Sequence, residues 1–198
     1  MAAIPPETLL EGYSIGIFPM ADDDNGNEIE WYTARKRGII PMDAFKVSKN
    51  VRRLIRQERY NIRYNTRFEE TMRHCANRET TWISEDLIQS YLKLHKLGHA
   101  HSVEVYDQEG QMQGGLYGVT LGAAFFGESL FHYESETSKI ALYYCHKALE
   151  EGGFELWDTQ FYTEHLAQFG CVEISGQEYM KRLQQAIAKD AVFQQPGD

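Results

Sequence analysis

The spacing of apolar residues changes from a helical to an extended period near residue 100. SEDLIQSYLKLHKLG has two acids in its first turn and apolar residues at 87, 88, 91, 94 and 97. This pattern predicts a helix that begins at Ser84 and ends at Gly98. HSVEVYD and MQGGLYGVTLGAAFFGESLF, at 101–107 and 112–131, follow it with turn residues between apolar runs. They predict consecutive strands that are joined by hairpins.

The C-terminal third alternates between the two periods. TSKIALYYCHKALEEGG predicts a helix that begins near Thr137 or Ser138, and FELWDTQF predicts a strand after it. TEHLAQFG, CVEI and ISGQEYMKRLQQAIAK predict a short helix, a strand and a last helix, and no pattern follows from about residue 190. A strand meander followed by alternating helices and strands indicates a layered α+β domain from about residue 80 onward.

The first 70 residues show much weaker periodicity. VSKNVRRLIRQ predicts a short helix with Ser48 as its N-cap, and a second helix fits 67–77. The acidic stretch ADDDNGNE at 21–28 is typical of a solvated loop. We therefore predict an α+β protein in two parts, a small N-terminal domain at 1–70 and a larger domain at 71–198.

Composition narrows the class of protein. The chain is 42% hydrophobic, which is enough to build a core. No apolar run approaches the roughly 18 residues of a membrane-spanning helix. The N-terminus lacks the basic and apolar segments of a secretory signal. The three cysteines lie far apart without metal or redox spacing, which favours buried thiols in a reducing cytoplasm.

Charge is distributed unevenly along the chain. The formal net charge is −9, but residues 35–67 contain eleven Lys and Arg against Asp43 and Glu58. A basic segment in an acidic protein is typical of a local contact with a polyanion. The same pattern also fits a solvated basic helix and loop, so charge alone does not decide between the two interpretations.

Two acidic residues are candidates for chemistry. Asp158 and Gln160 alternate along a predicted strand, so they share one face, where a carboxylate and an amide could handle a proton. Glu128 interrupts the apolar run FFGESLF, and a buried carboxylate is costly unless it is paired. On a regular strand Phe126, Glu128 and Leu130 share a face, and Phe125 joins them only through a bulge or bend.

Histidines cluster in LHKLGHAHS at 95, 99 and 101, but no acidic or cysteine ligand stands beside them. We therefore expect structural hydrogen bonds rather than a metal site. The sequence also lacks the glycine-rich phosphate loops of nucleotide-binding proteins.

Taken together, the motifs resemble the leucyl/phenylalanyl-tRNA–protein transferase family, in family order over about residues 8 to 186. The matching segments are GYSIGIFPM (12–20), RGIIP (37–41), FKVSKNVRR (45–53), TTWIS (80–84), YLKLHKLGHAHSVEVY (91–106), GGLYGVTLGAAFFGESLF (114–131), TSKIAL (137–142), DTQ (158–160) and HLAQFGCVEI (165–174). Each segment alone is weak, whereas the ordered set is specific.

The resemblance implies a C-terminal domain like the GCN5-type acetyltransferase fold. The implied reaction transfers Leu or Phe, less often Met, from aminoacyl-tRNA to the α-amine of proteins that begin with Lys or Arg. The product is marked for the N-end rule degradation route of the bacterial cytoplasm. The resemblance implies neither a metal nor another cofactor. Aminoacyl-tRNA is an activated ester, so the enzyme mainly positions the amine and the ester carbonyl.

The resemblance also implies roles for individual residues. Asp158 and Gln160 become the proton-handling pair, with Asp158 acting directly or through Gln160, or with the tRNA ribose hydroxyl assisting. Glu128 holds an amine, either that of the donor amino acid or that of the acceptor protein. The pocket for the donor side chain is formed by Leu116, Phe125, Phe126 and Leu130.

The tRNA contacts implied by the resemblance come from earlier segments. Trp82 stacks on the terminal adenine, and Met20 stands where some members carry a Trp, so stacking on one side only is expected. Lys49, Arg52 and Arg53 contact acceptor-stem phosphates, which carry no sequence information.

Two other function classes stay open at this stage. An acyltransferase that uses an acyl-CoA should show a glycine-rich turn at a helix start, where this chain has the acidic YESETS. A non-catalytic RNA-binding protein explains the basic segment but gives no reason for the Asp158–Gln160 pair.

Overall fold

A computed structural model of the chain describes residues 3–21 and 28–196. The helices are α1 (Pro6–Ser14), α2 (Lys49–Arg56), α3 (Phe68–Ala76), α4 (Glu85–Lys96), α5 (Thr137–Glu151), α6 (Glu164–Ala167) and α7 (Gly176–Ile187). The strands are β1 (Phe18–Ala21), β2 (Ile29–Tyr32), β3 (Lys36–Ile40), β4 (Asn61–Tyr64), β5 (Ala100–Tyr106), β6 (Met112–Leu121), β7 (Ala124–His132), β8 (Leu156–Gln160) and β9 (Val172–Ser175). Residues 22–27 of the predicted acidic loop lie outside the described ranges.

Seven strands form one sheet in the order β4-β5-β6-β7-β8-β3-β9, and β1 and β2 form a separate hairpin. Neighbours in the large sheet are antiparallel except β7 and β8, which run parallel. Parallel neighbours need a crossover connection, and α5 provides it.

Helices cover both faces of the sheet because its strands are apolar on both sides. One buried cluster joins Leu9 of α1, Met72 of α3, Leu87 of α4 and Leu183 of α7 to one face. The other cluster joins the remaining face to α2 and α5, and Leu149 of α5 is one of its fully buried residues. The α+β class predicted from the sequence is confirmed by this arrangement.

The predicted helix starts at Ser48 and Ser84 are confirmed, and Ser175 caps the last helix in the same way. The hydroxyl oxygens of Ser48, Ser84 and Ser175 accept hydrogen bonds from the backbone N–H groups of Val51, Leu87 and Glu178. Side-chain acceptors at this position satisfy N–H groups that have no partner in the first turn of a helix. The predicted strands at 101–107 and 112–131 are confirmed as β5, β6 and β7.

The N-terminal 70 residues contain more regular structure than their sequence indicates. They supply α1 and four strands, of which β3 lies inside the large sheet and β4 at its edge. Strands of four or five residues offer too few alternations for a sequence pattern. The division into two domains at residue 70 stays a prediction, and strands from both sides of that position belong to one sheet.

Candidate active site

A cleft opens where the parallel strands β7 and β8 stop pairing. Their register runs from Ala124 opposite Leu156 to Phe126 opposite Asp158. Directly after this point, β7 carries a bulge, since Gly127 pairs with Gly118 and Ser129 pairs with Tyr117 of β6, which leaves Glu128 as the extra residue. A bulge bends a strand and redirects its side chains. Glu128 therefore points into the cleft from an irregularity of the sheet.

The cleft has two lobes that share one junction. The first, the apolar lobe, has a volume of about 280 Å³ and is walled by Leu116, Phe125, Leu130, Leu142 and Trp157. The second, the aromatic slot, has a volume of about 170 Å³ and is walled by Phe18, Met20 and Phe161. Trp82, Glu128 and Gln160 line both lobes. A ligand with an apolar part and a flat part would meet these three side chains where its two parts join.

Glu128 is held by three neutral donors. The Tyr13 hydroxyl donates to Oε1 at 2.7 Å, the Tyr91 hydroxyl donates to Oε2 at 3.1 Å, and Gln160 Nε2 donates to Oε1 at 3.2 Å. The two tyrosine oxygens are themselves 2.6 Å apart. The carboxylate is therefore fixed in place, while none of its three donors is charged.

Burial raises the pKa of Glu128 to about 7, against the opposing effect of the hydrogen bonds from Tyr13 and Tyr91. Desolvation disfavours the charged form of a carboxyl group, and a nearby cation reverses that effect. The site is thus best suited to a ligand that brings a positive charge to the junction.

Asp158 lies behind the junction in a buried ion pair. Arg37 Nη2 donates to Oδ2 at 2.7 Å, and Arg37 Nε contacts Oδ1 at 2.9 Å. The Tyr179 hydroxyl donates to Oδ2 at 2.7 Å, and the backbone N–H of Gln160 donates to Oδ1 at 2.8 Å. The side chains of Arg37 and Asp158 are 1% and 0% exposed. Asp158 is fully buried and is not among the residues that line either lobe of the cleft.

Gln160 connects Asp158 to the cleft. It ends β8 in a left-handed conformation, with φ 57°, which is uncommon for residues other than glycine. The backbone N–H of Gln160 donates a hydrogen bond to the Asp158 carboxylate, and the side-chain amide of Gln160 donates one to Glu128. Strained conformations of this kind concentrate at functional sites.

The bulge changes the predicted faces of β7. Phe125 and Leu130 pack with the cluster on the α5 side, whereas Phe126 and Phe131 pack with the opposite cluster. The shared face of Phe126 and Leu130 was predicted for a regular strand, and the bulge instead brings Phe125 to the side of Leu130, which is the alternative predicted for a bulged strand. Leu116, Phe125 and Leu130 line the apolar lobe, but Phe126 instead packs against the ring of Tyr13 at 4.7 Å.

The structure brings the two predicted adenine contacts together. Trp82 and Met20 both line the aromatic slot. The hairpin that carries Met20 is tied to the α3–α4 connection by a hydrogen bond from Ala21 N to Trp82 O, of 3.1 Å.

The predicted tRNA-contacting cations all lie on α2, but their side chains do not all border the same groove. Lys49 and Arg52 line a surface groove with Arg56 and Tyr143. Arg53 instead donates to Asn50 Oδ1 and Gln57 Oε1 within the helix. Arg37 belongs to the same basic segment of the sequence but is buried against Asp158 and is not a surface cation.

Each of the three clustered histidines has a structural hydrogen bond. His95 Nδ1 contacts the carbonyl oxygen of Ala100 at 2.7 Å, and His99 Nδ1 contacts that of Thr120 at 3.2 Å. Burial lowers the pKa of His101 to about 4, and its Nε2 contacts Thr120 Oγ1. Within residues 3–21 and 28–196, no group of three or more His, Cys, Asp or Glu is arranged to hold a metal ion.

Four residues of the site carry no signal of their own in the sequence. Tyr13 and Tyr91 hold Glu128, and Arg37 and Tyr179 hold Asp158. Their partners are far away along the chain, up to 121 residues for Arg37. Tyr13, Tyr91 and Arg37 lie within the segments that carry the family resemblance, which is the signal that could have found them.

Comparison with known proteins identifies the family of the chain. The family described as Leucyl/phenylalanyl-tRNA protein transferase matches residues 39–184, and its N-terminal domain matches residues 2–35. The leucyl/phenylalanyl-tRNA–protein transferase of Paramagnetospirillum magneticum is 48% identical over 197 residues, which cover 98% of this chain and 94% of that protein. The protein of the same name from Gloeobacter violaceus is 46% identical over 98% of this chain and 99% of its own.

The chain belongs to the leucyl/phenylalanyl-tRNA–protein transferase family. The resemblance read from the motifs is thereby confirmed, and the chain is an aminoacyltransferase. Among solved structures, that of FemX matches with a TM-score of 0.51 at 13% identity, over 90% of this chain and 65% of that one. A GCN5-related N-acetyltransferase-like protein from Streptococcus suis matches with a TM-score of 0.33. No helix within the described ranges is long and apolar enough to cross a membrane.

Proposed function

We propose that this member of the transferase family moves leucine or phenylalanine, and less often methionine, from aminoacyl-tRNA to the α-amine of proteins that begin with Lys or Arg. The observation that carries the proposal is the position of Glu128, a carboxylate without a cationic donor at the junction of an apolar lobe and an aromatic slot. The reaction labels proteins for N-end rule degradation in the cytoplasm.

The donor end of aminoacyl-tRNA fits the cleft in one direction. The Leu or Phe side chain enters the apolar lobe, the terminal base enters the aromatic slot beside Trp82 and Met20, and the ester lies at the junction. The apolar lobe selects large apolar side chains, since each missing methylene costs about 1–3 kcal/mol of binding. Phe126 supports this lobe from the other side of the sheet.

Glu128 holds the ammonium of the donor amino acid in this arrangement. That ammonium lies next to the ester carbonyl, so it is at the junction whenever both lobes are filled. The acceptor amine must lose its proton before it attacks, and pairing with a carboxylate would favour its protonated form. The ion pair also offsets the cost of burying Glu128.

Gln160 and Asp158 position the acceptor amine as a unit, and the proton that this amine loses passes through the neighbouring ribose hydroxyl to the 3′-oxygen of the departing tRNA. Because Gln160 Nε2 donates to Glu128, its amide oxygen is left to accept from the attacking amine. Asp158 acts through Gln160 rather than directly, since its carboxylate is enclosed by Arg37 and Tyr179. It fixes the backbone of Gln160 in the left-handed conformation that turns the side chain to the junction.

Contacts to the tRNA body come from α2. Lys49, Arg52 and Arg56 form an exposed basic groove with Tyr143 that would follow acceptor-stem phosphates, and Arg53 adds charge beside it. Such contacts position the duplex without reading its sequence, so any suitably charged tRNA would serve.

Purified protein should transfer labelled leucine or phenylalanine from charged tRNA to a peptide that begins with Arg, with a matched peptide that begins with Gly as the control acceptor. Product is measured by mass spectrometry as the peptide extended by one residue. No transfer to peptides that begin with Lys, Arg, Asp or Glu would contradict the proposal.

A further inference from the structure

Phe161 is an exposed aromatic side chain on a rigid backbone. It is 48% exposed and lines the aromatic slot, directly after Gln160. Its N–H donates to Thr159 O at 2.6 Å, and Thr159 Oγ1 donates to its carbonyl oxygen at 3.3 Å. Both bonds close a tight turn over residues 159–161, with the left-handed Gln160 at its centre.

The opposite strand leaves room for this turn. A Cβ atom at Gly38 of β3 would lie 2.6 Å from the carbonyl carbon and oxygen of Phe161 and from Thr159 Oγ1. Glycine is therefore required where the backbone of Phe161 crosses β3. Residues on both strands thus place one phenyl ring at the edge of the slot.

The ring is also oriented by its neighbours. Phe161 and Phe18 form an edge-to-face pair, with ring centroids 5.6 Å apart and an angle of 85° between the ring planes. Phe18 is fixed in turn by the guanidinium of Arg37, which lies 4.8 Å from its centroid. Edge-to-face pairs have a defined geometry, so this contact fixes the plane of the Phe161 ring.

We propose that Phe161 provides an aromatic stacking face for the terminal base of the aminoacyl-tRNA, in addition to Trp82. This inference rests on the proposed function and names a further binding residue for it. Met20, the third wall of the slot, has no ring to stack on a base. The ring of Phe161 supplies a second stacking surface, so the base would stack on both Trp82 and Phe161.

The test measures binding of two probes by titration calorimetry. One is a stable 3′-amide analogue of leucyl-adenosine, and the other is leucinamide, which lacks the base. Phe161→Leu should raise the Kd of the adenosine analogue roughly 10-fold, within the range of base stacking on aromatic side chains. It should leave the Kd of leucinamide within about twofold, because the apolar lobe and Glu128 are unchanged.

Two further variants serve as controls. Phe161→Trp should keep the Kd of the analogue close to that of the wild type, because a ring is retained. Tyr162→Leu removes the neighbouring exposed aromatic residue, which lines neither lobe, and should have no effect on either probe.

In transfer assays Phe161→Leu should raise KM for Leu-tRNA with kcat unchanged, since the stacking contact is lost equally from the ground state and the transition state.

The inference is overturned if Phe161→Leu leaves the Kd of the analogue within twofold of the wild type, or weakens both probes equally. Failure of the proposed function has a different signature, namely a wild-type protein that transfers nothing from charged tRNA. The calorimetric comparison does not depend on turnover, so it still decides the role of Phe161 in that event.

Discussion

Glu128 destabilises the free protein near neutral pH, because its carboxylate is buried among neutral donors. Its pKa is raised by burial to about 7, so the native state binds a proton that the unfolded chain releases near its ordinary value of 4.5. Stability from this group is therefore present below pH 4.5 and is lost as the pH rises towards 7. A donor ammonium would reverse this loss on binding.

Replacing Glu128 with Gln should separate stability from function. The unfolding free energy of the wild type should fall between about pH 4.5 and 7, and that of the variant should not. At pH 8 the variant should therefore be more stable than the wild type by about 1–2 kcal/mol. Urea denaturation at several pH values measures this difference. Transfer from Leu-tRNA should fall roughly 100-fold at the same pH, because the ammonium loses its partner. A variant that is less stable than the wild type at pH 8 would contradict the account of Glu128.

Asp158 and Arg37 form a pair in which each residue depends on the other. Removing Asp158 alone leaves a buried guanidinium, so Asp158→Ala should abolish transfer and destabilise the fold by about 3–5 kcal/mol. Gln160→Ala should abolish transfer with a much smaller loss of stability, since its side chain makes one hydrogen bond to Glu128. Denaturant midpoints and transfer rates are compared for both variants.

A double variant decides whether Asp158 has more than a structural effect. Arg37→Met with Asp158→Leu replaces the buried ion pair by apolar side chains and should recover much of the stability that Asp158→Ala loses. Transfer should stay absent, since Gln160 loses the acceptor of its backbone N–H. Recovery of activity in the double variant would show that the carboxylate has no role in positioning Gln160.

At the scale of single elements, the sequence predicts α2 and its Ser48 cap. It does not predict which of the basic side chains of α2 border the surface groove. Lys49, Arg52 and Arg56 lie on one side of the helix, along the groove with Tyr143. Arg53 follows Arg52 on the helix and instead donates hydrogen bonds to the side chains of Asn50 and Gln57. The sequence places four cations on the helix, but only the packing against α5 decides which of them border the groove.

Arg52→Gln should weaken the dependence of tRNA binding on salt. Loss of one phosphate contact should make the slope of log Kd against log salt concentration shallower by about one, with weaker binding at low salt. Arg182→Gln, on α7, removes a cation that is paired with Glu178 and should leave the slope unchanged. Binding of Leu-tRNA is measured by filter retention at several salt concentrations, and equal slopes for both variants would contradict a role for α2.

The elements that the sequence predicts well are those with long patterns. The helices that begin after Ser84 and Ser175 and the hairpin of β6 and β7 have nine or more residues each, so their periodicity is visible. The bulge at Glu128 has no such signature, and it reverses the faces of every later residue on β7. The site was predictable in its residue types, but its geometry arises from register and from partners remote in sequence.

At the scale of the whole molecule, the C-terminal tail is part of the core although it has no regular element. Phe193 is 9% exposed and stacks on His101 at 4.5 Å and on Phe125 at 5.8 Å. The N–H of Val192 donates to Gly152 O. The sequence shows no pattern after residue 190, because a single buried aromatic residue has no periodicity.

Phe193→Ala should destabilise the protein by about 3–5 kcal/mol, as expected for loss of a buried phenyl ring. Val192→Ala is the matched control, since Val192 is 63% exposed and should change stability by less than about 0.5 kcal/mol. Both values are measured by urea denaturation. Equal stabilities of the two variants would show that the tail does not contribute to the core.

The insertion of β3 between β8 and β9 governs the order in which the molecule is completed during translation. β3 is synthesised early, but both of its neighbours in the sheet come from residues 156–175. An emerging chain therefore carries a strand with two unpaired edges until residues 156–175 have left the ribosome, and Arg37 stays unpaired until Asp158 is available. The cleft can form only after these residues are available, so chains truncated before residue 156 should lack a formed site.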